Sequence, residues 1–158
     1  MPAIPMTVAG AKRLQEELHR LKHVERPDVI NAIAEARAQG DLSENAEYDA
    51  ARERQAFVEG RILELDGTLS NAQVIDPKEL DADGKVVFGA TVDIEDLTSS
   101  ARVTYQIVGD LEADIRSNLI SISSPVARSL IGKEVGDVVE VNAPSGVIEY
   151  EILDVRYI

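Results

Sequence analysis

The 158-residue sequence contains no cysteine and no tryptophan, and only 4% of its residues are aromatic. The absence of cysteine excludes disulfide bonds, thiol catalysis and zinc–thiolate sites. Histidine occurs only as His19 and His23, in one segment, which argues against a histidine-based metal cage. No apolar run reaches the roughly 18 residues of a membrane span, and "MPAIPMTVAG" lacks the features of a secretory signal. We therefore expect a soluble cytoplasmic protein of one or two small domains, with no membrane partner.

Basic residues are also few, and the formal net charge is −13. Residues 1–75 carry 9 basic and 13 acidic side chains, a net charge of −4, whereas residues 76–158 carry 7 and 16, a net charge of −9. A free-standing nucleic-acid binder usually presents a basic surface to the phosphates. The charge therefore argues against that class, and the acidic second half is suited to dock on a basic patch of a protein partner.

Residues 1–75 have apolar side chains at the spacing of a coiled coil. The two seams are Ala11, Leu14, Leu18, Leu21, Ile30, Ile33 and Ala34, and then Ala51, Gln55, Val58, Ile62, Leu65, Leu69 and Ala72. Pro27 should kink the first helix or remove one hydrogen bond. Because only "QGDLSEN" separates the seams, we predict a two-helix antiparallel coiled coil, with arms of about 29 residues and roughly 40 Å each.

Residues 80–158 change to the alternating pattern of β-strands. Five segments follow it: "KVVFGATVDIEDL", "RVTYQIVGD", "NLISIS", "DVVEVNAP" and "VIEYEILDVRYI". One short helix fits "SPVARSLIG", with Ser124 as N-cap, Pro125 as its first residue and Gly132 as its stop. The predicted fold class is α+β: a coiled-coil arm followed by a small, mostly antiparallel α+β domain.

The connecting turn, "GDLSE", has two explanations. In the first, Gly40 ends helix one, Asp41 caps helix two, and Glu44 completes a capping box. In the second, the spacing of Asp41 and Glu44 places two carboxylates on one side of a helix end, an arrangement suited to Mg²⁺. Two carboxylates are too few to hold Mg²⁺ tightly, so a partner would have to supply the rest of the site.

Several segments resemble the bacterial Gre transcript-cleavage (transcription elongation) factors, in particular the GreA type. The resemblance rests on "IAEAR", "GDLSENAEYDAARERQ", "LSNAQVID", "GKVVFGATV", "YQIVGDLEAD" and "LISISSPVARSLIGKEVGD". It covers essentially the whole chain. It implies that residues 80–158 have a fold like that of the FK506-binding prolyl isomerases (FKBP-like).

The resemblance also implies a mechanism. Gre factors bind bacterial RNA polymerase at the rim of its secondary channel, and their tip reaches the active centre to stimulate cleavage of a backtracked RNA 3′ end. Asp41 and Glu44 would be the catalytic carboxylates and would share a weakly bound Mg²⁺ with the polymerase. The isolated chain would be a monomer that binds no cofactor tightly. It would assist another enzyme rather than be an enzyme itself.

The resemblance assigns roles to three further groups of residues, each of which also has a plain structural explanation. They are the RNA-contacting basic pair Arg37 and Arg52, the tip-supporting residues Asn45 and Tyr48, and the polymerase-docking loop Ser123, Ser124 and Pro125. The structural explanations are solvated helix charges for the first group, and packing and capping for the other two.

Three other functions compete with this interpretation. An inhibitory Gre homologue would block the channel, but such relatives carry extra acidic residues at the tip, where this chain has Ser43. A prolyl isomerase would need an aromatic pocket with a tryptophan floor, and residues 80–158 offer only Phe88, Tyr105, Tyr150 and Tyr157. A plain coiled-coil scaffold or chaperone would leave the paired tip acids unexplained.

Overall fold

A computed structural model of the chain describes residues 2–40 and 45–158. The chain divides into two compact units: residues 12–71, and residues 2–11 together with 72–158. The sequence pattern placed the boundary after residue 75 instead. The difference arises because two short segments near the ends of the helices pair with each other as strands.

These two strands are β1 (Ile4–Thr7) and β2 (Ala72–Ile75), which pair in parallel, with Ile4 opposite Ala72 and Thr7 opposite Ile75. The helical seam was predicted to continue through Ala72, and that prediction is wrong. The helix before it ends at Ser70, and Asn71 closes its last turn through an N–H bond to the Thr68 carbonyl. The backbone N–H and C=O groups of Ala72 are therefore free of the helix and can form the strand pair with β1.

The first unit is a helical hairpin, which confirms the predicted pair of antiparallel helices. Its segments are α1 (Val8–Arg20), a π-helical turn (Leu21–Glu25), α2 (Arg26–Ala38) and α3 (Ala46–Ser70). Gly40 follows α2 with a φ of 108°, and its N–H bonds the Arg37 carbonyl, as a helix-ending glycine should. The second seam is confirmed from Ala51 to Leu65, since α3 buries Ala51, Val58, Ile62 and Leu65.

The π turn is the structural response to Pro27. The Arg26 N–H bonds the Leu21 carbonyl five residues back, and Pro27 follows directly, in the first turn of α2. A π turn contains one residue more than an α turn, so the buried face advances by one position. The buried residues of α2 are Val29, Ile33 and Ala36. Ile30 and Ala34, both predicted in the seam, are exposed, Ile30 by 52%.

Ion pairs join the two sides of the hairpin along its length. Arg61 binds Glu17 through two nitrogens, at 2.7 and 3.0 Å, and Arg26 binds Glu59 in the same bidentate way, at 2.8 and 2.9 Å. The Arg61 hydrogen bond lowers the pKa of Glu17. These pairs have the order of an antiparallel hairpin, with early residues of the first arm facing late residues of the second.

The second unit contains a five-stranded sheet in the order β5-β4-β3-β7-β6. Its strands are β3 (Thr91–Asp96), β4 (Arg102–Val108), β5 (Leu119–Ser121), β6 (Val138–Ala143) and β7 (Gly146–Arg156). Only the β4–β5 pair is parallel, and the other neighbours are antiparallel. The α+β class is therefore confirmed. The closer comparison with FK506-binding proteins stays a prediction.

The core of this unit lies between the sheet and a short helix, α4 (Pro125–Leu130). Alternate residues of the strands point into it, as in Val92 and Ile94 of β3, both fully buried. Burying each such side chain contributes roughly 1.5–3 kcal/mol. The predicted start of α4 is confirmed, because Ser124 is its N-cap and accepts a bond from the Ala127 N–H at 3.2 Å.

One charged side chain, Glu112, is buried beside the start of α1. It is 2% exposed, and its carboxylate accepts hydrogen bonds from the N–H and hydroxyl of Thr7 and from the Gly109 N–H. The Thr7 hydroxyl in turn accepts from the Gly10 N–H in the first turn of α1. Glu112 therefore connects β1 and the start of α1 to the loop after β4.

Among the helices formed by residues 2–40 and 45–158, none combines the length and apolar character that crossing a membrane requires.

Candidate functional site

The predicted catalytic pair, Asp41 and Glu44, lies outside the residues that the structure describes. The described residues on either side of this segment form the rest of the candidate site. Arg37 lies in the last turn of α2 on one side, and Asn45 and Tyr48 begin α3 on the other.

Asn45, and not Asp41, is the N-cap of α3. Its Oδ1 accepts a hydrogen bond of 3.0 Å from the Tyr48 N–H, the geometry expected of a cap. Its Nδ2 donates to the Ala36 carbonyl at 2.7 Å. An aspartate has no group that could make the second bond, which explains why asparagine occupies this position. The prediction that Asp41 caps the second helix is wrong, so capping of α3 does not account for the two acids.

Tyr48 brings the two predicted basic residues together. The guanidinium carbons of Arg37 and Arg52 lie 6.0 and 5.7 Å from the centre of its ring, and Arg52 Nη1 donates a bond of 2.9 Å to the phenol oxygen. Hydrogen bonds from both arginines lower the pKa of Tyr48, and the effect of Arg37 is the larger. One ring therefore gathers cations from both helices of the hairpin at the end next to residues 41–44.

These two arginines differ from the other arginines of the hairpin in their partners among the described residues. Arg20, Arg26, Arg54 and Arg61 each form an ion pair within the hairpin. Within residues 2–40 and 45–158, neither Arg37 nor Arg52 does. A pair of exposed guanidiniums is a suitable ligand for phosphate groups.

A groove of about 440 Å³ opens beside the two arginines. The residues that line it are Ile30, Ile33, Ala34, Arg37, Arg52 and Gln55. Its lining combines aliphatic and cationic side chains. The sequence pattern missed this groove because it placed Ile30 in the buried seam.

The predicted docking loop is organised by one carboxylate, Asp110. Asp110 accepts hydrogen bonds from the hydroxyls of Ser121 and Ser123, the latter at 2.8 Å. Both bonds lower the pKa of Asp110, and the bond from Ser121 has the larger effect. Ser123 and Pro125 are exposed, whereas Ser124 is half-buried and occupied in capping α4. The sequence pattern did not find Asp110, which is distant along the chain.

The part of the chain that the structure describes contains no group of three or more histidine, aspartate or glutamate side chains able to hold a metal ion. The acidic residues in the first turn of α3, Glu47 and Asp49, do not form such a group either.

Nearly the whole chain matches known protein families and curated proteins. The family model described as "Transcription elongation factor, N-terminal" matches residues 4–74, and "Transcription elongation factor, GreA/GreB, C-term" matches residues 81–157. Proteins named Transcription elongation factor GreA from Verminephrobacter eiseniae and Alkalilimnicola ehrlichii are 66% and 64% identical, over 99% of this chain and of theirs. The GreA factor homolog 1 structure from Thermus thermophilus is 28% identical, with a TM-score of 0.44, over 98% of this chain and 99% of that one. The chain belongs to the GreA/GreB family of transcription elongation factors.

Proposed function

We propose that this protein is a transcription elongation factor that enters the secondary channel of bacterial RNA polymerase and stimulates cleavage of backtracked RNA 3′ ends. The proposal rests on the family membership and on full-length relatives that carry the elongation-factor name. In this account the protein is a partner of the polymerase, and the hydrolysis is the polymerase's own.

The observation that carries the proposal is the pair of guanidiniums on Tyr48. Arg37 and Arg52 have no carboxylate partner in the described part of the chain, although the whole protein is strongly acidic. They flank the segment that contains Asp41 and Glu44. Two cations that bind the phosphates of an extruded RNA strand would hold it beside these two acids.

The roles of Asp41 and Glu44 follow from their chemistry. Asn45 caps α3, so neither acid is needed for that purpose. Carboxylates suit Mg²⁺, which takes one or two of them and keeps other ligands elsewhere. A Mg²⁺ shared with the polymerase would supply charge stabilisation during hydrolysis. The two acids would hold their share of that ion and orient the attacking water.

The other two groups of residues support this arrangement. Asn45 and Tyr48 would position the tip, Asn45 by joining α3 to the Ala36 carbonyl and Tyr48 by gathering the arginines. The loop of Ser123, Ser124 and Pro125 would dock at the channel rim. In this loop Ser123 and Pro125 are exposed, the Ser123 hydroxyl donates to Asp110, and Ser124 caps α4.

The test is an RNA cleavage assay on polymerase complexes stalled in the backtracked state, with and without the full-length protein. We expect shortened RNA and resumed elongation when the protein is added with Mg²⁺. A protein that binds the complex but slows both cleavage and elongation would be an inhibitory homologue, and the proposal would fail. Proline isomerisation of a test peptide by the protein alone would point to the prolyl isomerase function.

A further inference from the structure

Two exposed imidazoles lie side by side on the outer surface of the helical hairpin. His19 is in the last turn of α1 and His23 is in the π turn that follows it. Their ring centroids are 4.4 Å apart and their planes differ by 41°. They are the only two histidines of the sequence.

Neither ring has a structural task that explains it. Both side chains are exposed, while the buried seam at this level is occupied by Leu21. Across residues 2–40 and 45–158, no hydrogen bond or ion pair uses a nitrogen of either ring. A neutral imidazole has one nitrogen with a free lone pair, so the pair offers two such nitrogens on one helix face.

The separation of the rings suits two ligands of one metal ion. A metal–nitrogen bond of about 2.1 Å, with the nitrogen about 1.1 Å from the ring centre, puts each centroid about 3.2 Å from the metal. Two such ligands have centroids about 4.5 Å apart at a right angle and about 5.2 Å apart at the tetrahedral angle. The observed 4.4 Å is nearer the right-angle value, the angle between neighbouring ligands of octahedral and square-planar ions.

We propose that His19 and His23 form a bidentate site for a divalent transition metal of this geometry, Ni²⁺ or Cu²⁺. No third histidine, aspartate or glutamate of the described chain completes the site. Water or another molecule therefore fills the remaining positions. This site differs in chemistry from Asp41 and Glu44, whose oxygen ligands suit Mg²⁺, and it does not depend on the proposed cleavage function.

Metal binding here would join two successive turns of one helix. Since His23 belongs to the π turn, an ion that bridges it to α1 stabilises the helix at its irregular point. Thermodynamic linkage then raises the melting temperature as free metal exceeds the dissociation constant. At 100 times that constant, the expected rise is about 5–10 °C for a chain of this size.

The experiment titrates the full-length protein with NiCl₂ and measures heat of binding and the far-ultraviolet melting curve. We expect one equivalent of Ni²⁺ per chain and a rise in melting temperature. His19→Asn and His23→Asn should each lower the affinity at least about tenfold, since removing 1.4 kcal/mol of binding free energy gives that factor. Unchanged far-ultraviolet spectra without metal will show that both variants fold.

Two controls separate this site from the acidic surface. Glu16→Gln, one turn before His19, should bind Ni²⁺ as the unchanged protein does. Any change that MgCl₂ causes in the melting temperature should be the same in the unchanged protein and in the histidine variants. Equal Ni²⁺ binding by the protein and by a variant lacking both histidines would overturn the proposal. A complete absence of Ni²⁺ binding would overturn it as well.

Discussion

Asn45 and Ala36 join the two helices of the hairpin, through a hydrogen bond of 2.7 Å from Asn45 Nδ2 to the Ala36 carbonyl oxygen. Ala36 lies in the last turn of α2, and its carbonyl also accepts a bond of 3.3 Å from the Gln39 N–H. The Oδ1 atom of the same side chain accepts from the Tyr48 N–H. One amide group therefore serves the end of one helix and the start of the next.

We predict that Asn45→Ala lowers the free energy of unfolding of the hairpin by about 1–3 kcal/mol, because a cap and a hydrogen bond are both lost. Asn45→Asp keeps the cap and loses only the bond to Ala36, so its loss should be about 0.5–1.5 kcal/mol. Urea denaturation followed at far-ultraviolet wavelengths measures both. If the alanine variant were as stable as the original protein, the bridging role would be wrong.

The buried Glu112 gives a second prediction, which concerns stability. Glu112→Ala leaves two buried N–H groups and a hydroxyl without their acceptor, so we expect a loss of about 2–5 kcal/mol. A Cβ atom on Gly10 would come within 1.8 Å of Glu112 Oε1, so Gly10→Ala should also destabilise the protein. The hydrogen bonds of the carboxylate hold it in place, and it cannot simply move aside.

A double-mutant cycle tests this relationship, because the clash requires both side chains. In a Glu112→Ala background, Gly10→Ala should become neutral or stabilise α1 by up to about 1 kcal/mol, the helix preference of alanine over glycine. Additive losses measured by urea denaturation would show that the clash is not what excludes alanine at position 10.

The ionisation of Tyr48 supplies a prediction on pH dependence. Arg37 and Arg52 lower its pKa, whereas burial raises the pKa values of Tyr150 and Tyr157, so Tyr48 should ionise before these two as the pH rises. The stability that the ionised Tyr48 contributes is fully present above its pKa in the unfolded chain. It is lost as the pH falls through its lower pKa in the folded protein. Arg37→Gln or Arg52→Gln should move the Tyr48 midpoint upward, towards 10.0.

Nuclear magnetic resonance of ring-labelled tyrosine resolves the individual midpoints, and Arg54→Gln provides a matched control. Arg54 is paired with Glu25, away from Tyr48. A Tyr48 midpoint that does not move in either the Arg37 or the Arg52 variant would contradict the cluster as described.

The docking loop allows stability to be separated from binding. Ser124→Ala removes the α4 cap and should cost about 0.5–2 kcal/mol, whereas Ser124→Asp should preserve it. Ser123→Ala removes a hydroxyl that donates to Asp110, so it should cost only about 0.5–1.5 kcal/mol of stability and leave the domain folded. If this loop docks on polymerase, Ser123→Ala should nevertheless weaken binding several-fold in a competition assay. Unchanged binding would remove Ser123 from the interface.

Much of the architecture could be predicted because periodicity reflects burial. The seam of α3, the five-stranded sheet and the start of α4 each followed from spacing or from a local capping residue. The first seam differs after Leu21, where Val29 is buried instead of Ile30, because the π turn changes the helical phase and no hydrophobic pattern reveals such a turn. The β1–β2 pair was missed because each strand has only four residues and its partner lies far along the chain.

The candidate site could be predicted in part. Arg37, Arg52 and Tyr48 were each named from the sequence, but their shared ring contact depends on two helices meeting, which spacing alone does not fix. The cap was assigned to Asp41 because its spacing to Glu44 fits a capping box. Asn45 occupies the position instead, since its amide also reaches Ala36 across the hairpin.

The most direct test of the proposed function compares Asp41→Asn and Glu44→Gln with the unchanged protein, in RNA cleavage by backtracked polymerase complexes containing Mg²⁺. Polymerase affinity is measured in parallel, and Ser43→Ala, between the two acids, serves as the control. We predict that each acid variant binds polymerase normally and loses at least about tenfold of the stimulated cleavage rate, about 1.4 kcal/mol of activation free energy. Cleavage that persists in both variants, or that falls only in step with binding, would contradict a role for these two carboxylates in the reaction.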